Sequence, residues 1–116
     1  MTLFGKVTFA AGVPTLVTTF PVSGGGNQNP SNGIASVTDV GAGLYKITLQ
    51  DTYVRLLGVT VTEVAASGTA SVTQVVVTDD SVASIASPYV TLKLAAADLT
   101  TTSLLITINL ANSTAL

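Results

Sequence analysis

Short runs that alternate apolar and polar residues recur along the whole chain, broken roughly every ten residues by Gly, Pro, Asn or Asp. A period of two sends successive side chains to opposite faces of an extended backbone, so the pattern supports strands and leaves no continuous apolar stripe for a helix. Eight segments carry it: 3–9, 15–22, 34–40, 44–50, 59–65, 70–78, 89–94 and 103–110. In the last two, Val90, Leu92 and Leu94, then Leu104, Ile106, Ile108 and Leu110, fall on one face. In the first, Leu3, Val7 and Phe9 oppose Thr2, Lys6 and Thr8. Val, Thr and Ile are abundant, and their stiff, branched side chains fit a pleated surface better than a helix. These features predict an all-β fold, an antiparallel two-sheet β-sandwich of jelly-roll or immunoglobulin-like type whose strand order one sequence does not reveal.

The breaks between runs carry their own expectations. Gly41-Ala42-Gly43 can supply the positive φ of a tight connection, which makes 34–40 and 44–50 a hairpin with Tyr45, Ile47 and Leu49 sharing one face. Gly12-Val13-Pro14 reads as a break before the second strand. Residues 23–33, SGGGNQNPSNG, contain no apolar side chain and predict a flexible surface loop, and 111–116 reads as a C-terminal tail. After Asp51, the positions of Tyr53, Leu56 and Leu57 at i, i+3 and i+4 predict one short helical turn ended by Gly58. A second such turn, capped by Asp80, is expected in the 79–88 loop. Val75-Val76-Val77 is apolar at every position, as in a strand covered on both faces.

With 116 residues there is room for one domain, 1–116, able to bury roughly 65% of its unfolded surface. Hydrophobic residues form 47% and charged residues only 9%, so the surface must consist largely of hydroxyl, amide and small apolar groups. The net charge of −2 comes from Asp39, Asp51, Glu63, Asp79, Asp80 and Asp98 against Lys6, Lys46, Arg55 and Lys93. No basic cluster suited to nucleic acid emerges. No apolar run approaches the length of a membrane span, and residues 1–20 lack the basic and apolar regions of a signal peptide.

Composition also limits chemistry. Neither His nor Cys is present, which removes imidazole-based triads, thiolate catalysis and thiolate metal sites. Ser36 and Lys46 share the hairpin and could form a Ser-Lys pair, but two solvated strand residues are the plainer reading. Asp79-Asp80 offers adjacent carboxylates to a hard cation such as Ca²⁺, against the commoner role of turn and helix cap. Gly24-Gly25-Gly26 lacks the Lys and following helix of a phosphate-binding loop. Tyr45, Tyr53, Tyr89, Phe4, Phe9 and Phe20 are expected mostly in the core, leaving few aromatic platforms for sugar binding. The Thr-rich outer faces lack the regular repeat of an ice-binding surface. The expectation is therefore no catalytic residue, no cofactor and no metal.

Residues 33–57 contain G-x-x-S-V-T-x-x-G-x-G-x-Y from Gly33 to Tyr45 and T-L-x-D-x-Y-x-x-L-L from Thr48 to Leu57. With Tyr89-Val90-Thr91-Leu92-Lys93-Leu94 and Leu110-Ala111-Asn112-Ser113-Thr114, this stretch resembles small virion structural proteins of tailed bacteriophages. The resemblance implies a non-enzymatic capsid decoration or cement protein, with a receptor-binding or fibre and tail-tip module as the alternative. It further implies the major capsid protein and neighbouring copies of the chain as partners, in a homo-oligomer or capsid-bound array. The expected location is the capsid surface of a virion assembled in the host cytoplasm.

Overall fold

The computed structural model describes residues 1–10, 12–18, 20–21, 27–28, 32–65, 68, 71–97, 99 and 102–111. Among the described residues, ten strands run in the order β1 (Thr2–Ala10), β2 (Val13–Leu16), β3 (Phe20–Pro21), β4 (Asn27–Gln28), β5 (Ile34–Gly41), β6 (Leu44–Leu49), β7 (Arg55–Val64), β8 (Val76–Asp79), β9 (Tyr89–Lys93) and β10 (Ser103–Ala111). Eight of them form two four-stranded antiparallel sheets, ordered β2-β1-β10-β7 and β5-β6-β9-β8, while β3 and β4 make a two-residue ladder. The fold is a β-sandwich, as the alternation predicts.

One core lies between the sheets. Leu3, Val7 and Phe9 from β1, Leu104, Ile106, Ile108 and Leu110 from β10, Tyr45, Ile47 and Leu49 from β6, and Val90 and Leu92 from β9 are all buried. Along β10 the buried positions recur strictly at every second residue, the direct reading of strand pleat by a two-layer fold. The chain crosses between sheets repeatedly, so β10 pairs with β1 from the opposite end of the sequence and with β7. Such pairings cannot be read from local pattern.

Several local expectations are overturned. The helical turn after Asp51 is absent, because Tyr53 donates its N–H to Val82 O at 2.9 Å and Val54 to Ala111 O at 2.9 Å, bonds a helix would compete for. Arg55 already begins β7. Gly58 therefore lies inside a strand, opposite Asn109, while Leu110 faces Leu56. Leu57 is the extra residue of a bulge, which brings Leu56 onto the same inner face as Val59 and Val61 and leaves Leu57 exposed. The 79–88 segment likewise holds a turn at Val82–Ala83 and no helix, with Val82 plugged into the core.

Val75, Val76 and Val77 are exposed, contrary to the expectation of a strand covered on both faces. β8 is the outermost strand of its sheet, and a hollow of about 320 Å³ lined by Leu56, Val77, Thr78, Asp79 and Asp80 lies against it. Val13 and Pro14 belong to β2 and form no break, since an edge strand tolerates the missing N–H of proline. Ala111 closes β10 and so is not part of a tail. The tail expected beyond it, 112–116, lies outside the described residues. Of the expected 23–33 loop, Asn27–Gln28 pair with Phe20–Pro21 and Asn32 bridges to Phe4. The rest of that expected loop, residues 23–26 and 29–31, lies outside the described residues.

Candidate interaction surfaces

Three of the residues singled out for chemistry, Lys46, Asp79 and Tyr89, meet on the outer face of the β5-β6-β9-β8 sheet. Register places Lys46 opposite Thr91, and Asp79 opposite Thr91 from the other side. Asp79 accepts hydrogen bonds from the Ser81 hydroxyl at 2.6 Å and the Tyr89 hydroxyl at 2.8 Å, one on each carboxylate oxygen. The Lys46 ammonium lies 4.3 Å from the Tyr89 ring centroid. A cation over an aromatic face gains about 0.5–1 kcal/mol at such exposed sites and occupies the face a sugar would stack on. Asp79 is held below the usual carboxylate range, chiefly by the Ser81 and Tyr89 hydrogen bonds, with Lys46 adding to them. Both of its oxygens thus serve the protein's own surface network.

The Ser36–Lys46 pairing does not form in register: Ser36 faces Thr48 and Lys46 faces Thr38. Gly24-Gly25-Gly26 lies outside the described residues. Among the aromatics, Tyr45, Tyr53 and Phe9 are core, Tyr89 is half-buried and Phe4 is exposed. Burial, and secondarily the Asp51 charge, pushes the Tyr53 phenol up. Among the described residues no group of three or more His, Cys, Asp or Glu is placed to hold a metal ion. No helix among them is long and apolar enough to cross a membrane.

Glu63 was not singled out by its sequence context, yet its carboxylate organises the chain that follows β7. It accepts the Ser71 N–H at 2.8 and 3.0 Å and the Val72 N–H at 3.1 Å. Partial burial pushes its carboxyl up, but the Thr102 hydroxyl and the Val72 and Ser71 donors outweigh that and hold it below its ordinary value. A folded-state value below the unfolded one means the deprotonated form favours folding. The stability it contributes is full above the ordinary carboxylate range and is lost as the pH falls through the depressed value. Melting temperature should accordingly drop on acidification below about pH 4.5, and Glu63→Gln should melt lower at neutral pH with a flatter acid limb. A variant whose acid limb matches that of the parent chain would remove Glu63 from this role.

Each of the four outer strands is blunted against pairing with another chain. β2 carries Pro14, which has no N–H to donate. β5 has register shifts between Ile34 and Ser36 and between Asp39 and Gly41, β7 has the Leu57 bulge, and β8 has a shift between Val77 and Asp79. Glu63 adds an inward-pointing charge on β7. Pro, bulges and inward charges are the means by which sheets avoid edge-to-edge addition.

The faces remain. Across the outer face of the β2-β1-β10-β7 sheet, Phe4 sits beside Thr107 and Thr60, Lys6 beside Leu105 and Thr62, and Thr8 beside Ser103 and Val64. Thr2 and Asn109 extend this hydroxyl and amide surface through a 3.0 Å hydrogen bond. Phe4, Leu105 and Val64, 45%, 45% and 51% exposed, fall on a diagonal across three strands. Diagonal neighbours on one face lie within reach of large side chains, so the three line up as an apolar diagonal in a field of hydroxyls. The sequence signal was the outward phase of β1, β7 and β10, but only the pairing of β10 between the other two assembles the strip. No family model, curated protein or solved structure matches the chain.

Proposed function

We propose that this protein is a non-enzymatic virion structural protein, a capsid cement or decoration protein that binds the outer face of a phage head and stabilises it. The observation that carries the reading is the phage-like stretch from Gly33 to Leu57, which covers the β5–β6 hairpin and the entry to β7 and contributes Tyr45 and Tyr53 to the core. The surface is compatible with the role. With charged residues at 9% of the chain, broad areas of hydroxyl and small apolar groups can dock without a large desolvation cost.

Size argues for many copies acting together. Strand spacing and rise put one outer face at roughly 600 Å², short of the approximately 800 Å² per partner of a standard interface. A single contact of that size is weak, and a symmetric shell multiplies it by holding neighbouring copies within reach of one another. The partners in this reading are the major capsid protein and adjacent copies of the chain, on a capsid assembled in the host cytoplasm.

Imaging of intact particles carrying labelled protein tests the reading. Label spread over the head in many copies is the expected result. Label confined to the tail tip or fibres would replace it with a receptor-binding role, and label on no part of the particle would remove the virion assignment.

A further inference from the structure

Resting on the reading above, we infer that the groove between β2 and β5 receives a lysine side chain of the shell protein, with its ammonium on the Asp39 carboxylate. β2 and β5 are outer strands of the two sheets and lie against one another. The groove between them holds about 200 Å³ and is lined by Gly12, Val13, Pro14, Val37, Thr38 and Asp39. That is below the roughly 300–1,000 Å³ of a site for a drug-sized ligand and suits a single side chain. Among the lining side chains only Thr38 and Asp39 are polar, and only Asp39 is charged. Alternation along β5 puts Val37 and Asp39 on one face, both half-buried, with Val37 packed against the core. Asp39 stands opposite Tyr45, at the register shift before Gly41. Its Oδ1 accepts the Gly41 N–H at 3.1 Å, and among the described residues its other oxygen takes no hydrogen bond and no cation pairs with it.

A half-buried carboxylate without a counter-charge attracts a cation, and the attraction strengthens as docking excludes water. Lysine fits the rest of the groove: its methylene stem lies along Val13, Pro14 and Val37 while the ammonium reaches the free oxygen. Arginine fits less well, since its fork takes both carboxylate oxygens and the Gly41 N–H already holds one. The chain's own cations are poorly placed to fill the groove of a second copy. Lys46 lies over the Tyr89 ring, and Lys6 and Arg55 each have an interaction within the chain. A second copy therefore has Lys93 to offer, set within a sheet face between Leu44 and Val76 and not at a projecting edge.

The test has two arms, both on the full chain. In the first, N-acetyl-lysine methylamide is titrated into the isotope-labelled protein and amide NMR shifts are followed. Saturable shifts confined to Gly12, Val37, Thr38, Asp39 and Gly41 are expected, absent with the Nε-acetylated probe and absent in Asp39→Asn, whose side-chain oxygen still accepts the Gly41 N–H. In the second, the chain is added back to heads assembled without it and counted per particle. Asp39→Asn is compared with Asp80→Asn, which removes the same charge elsewhere, each first shown to melt within about 3 °C of the parent. Apparent affinity should fall at least about tenfold for Asp39→Asn and stay unchanged for Asp80→Asn. Acetylating the lysines of the heads should weaken the parent chain and add little to the loss in Asp39→Asn, because both changes remove one contact. No saturable shift with the lysine probe, or parent-like binding of Asp39→Asn to heads, would overturn the inference and leave the cement reading standing. Failure of the parent chain to bind heads at all would overturn both. A dimer in sedimentation that Asp39→Asn and Lys93→Gln each abolish would overturn the shell lysine and assign the groove to a second copy.

Discussion

Tyr45→Ala is expected to cost about 3–5 kcal/mol of folding stability, the range for removing a large aromatic side chain from a packed core. Tyr45 is only 2% exposed, and its ring meets Phe9 edge-on with centroids 5.3 Å apart, which ties β6 of one sheet to β1 of the other. Its hydroxyl oxygen accepts the Leu99 N–H at 2.7 Å, so a polar group of the segment leading to β10 also depends on it. Domains of this size have total stabilities of about 5–15 kcal/mol, and the loss would consume a large part of that. Tyr45→Phe separates the two contributions. It keeps the ring and orphans a buried donor, for an expected cost of about 1–3 kcal/mol. Urea unfolding of both variants checks the pair, and a Tyr45→Ala midpoint equal to the parent's would move Tyr45 out of the core.

The second large effect is expected at Gly43, where Gly43→Ala should cost about 3 kcal/mol or more, since the strain can be relieved only by moving backbone. Gly43 has φ +70°, in the left-handed region, and a Cβ there would overlap the Ala95 carbonyl oxygen. The same residue's carbonyl accepts the Leu94 N–H at 2.9 Å, so the hairpin tip and the end of β9 are in direct backbone contact. Gly12 is the control. Its φ is +84°, but a Cβ would meet nothing within 4 Å, so Gly12→Ala should show the conformational term alone, about 1 kcal/mol. In melting temperature the contrast is roughly 12 °C or more against about 4 °C. Equal losses at the two positions would mean that the Ala95 contact adds nothing.

Alternation along the chain by itself determined the β class, the two-sheet core and the strand residues that fill it, though not Tyr53, Val82 and Leu99, which join it from connecting segments. The inward phase of 3–9, 44–50, 89–94 and 103–110 places Leu3, Tyr45, Leu92 and Ile108 in the core, because a pleated strand leaves each side chain a choice of two faces and only one can be dry. The β5–β6 hairpin was legible for the same reason, its turn chemistry lying within a few residues. The absence of His and Cys was equally plain in the sequence.

Everything that depended on what a segment packs against was decided by the tertiary structure. Tyr53, Leu56 and Leu57 have helical spacing, yet the Val82 and Ala111 carbonyls take the N–H groups of Tyr53 and Val54 and draw the segment out. The Val75-Val76-Val77 run looks fit for burial on both faces but ends up on an outer strand, because coverage belongs to the neighbouring layer and not to the run itself. Glu63 looked like one carboxylate among six until the fold brought Ser71 and Val72 to it. The Phe4–Leu105–Val64 strip joins residues from both ends and the middle of the chain, and it exists because β10 pairs between β1 and β7. Strand pairing couples residues about a hundred positions apart through main-chain hydrogen bonds common to every residue type, so local side-chain chemistry carries no record of which strands meet.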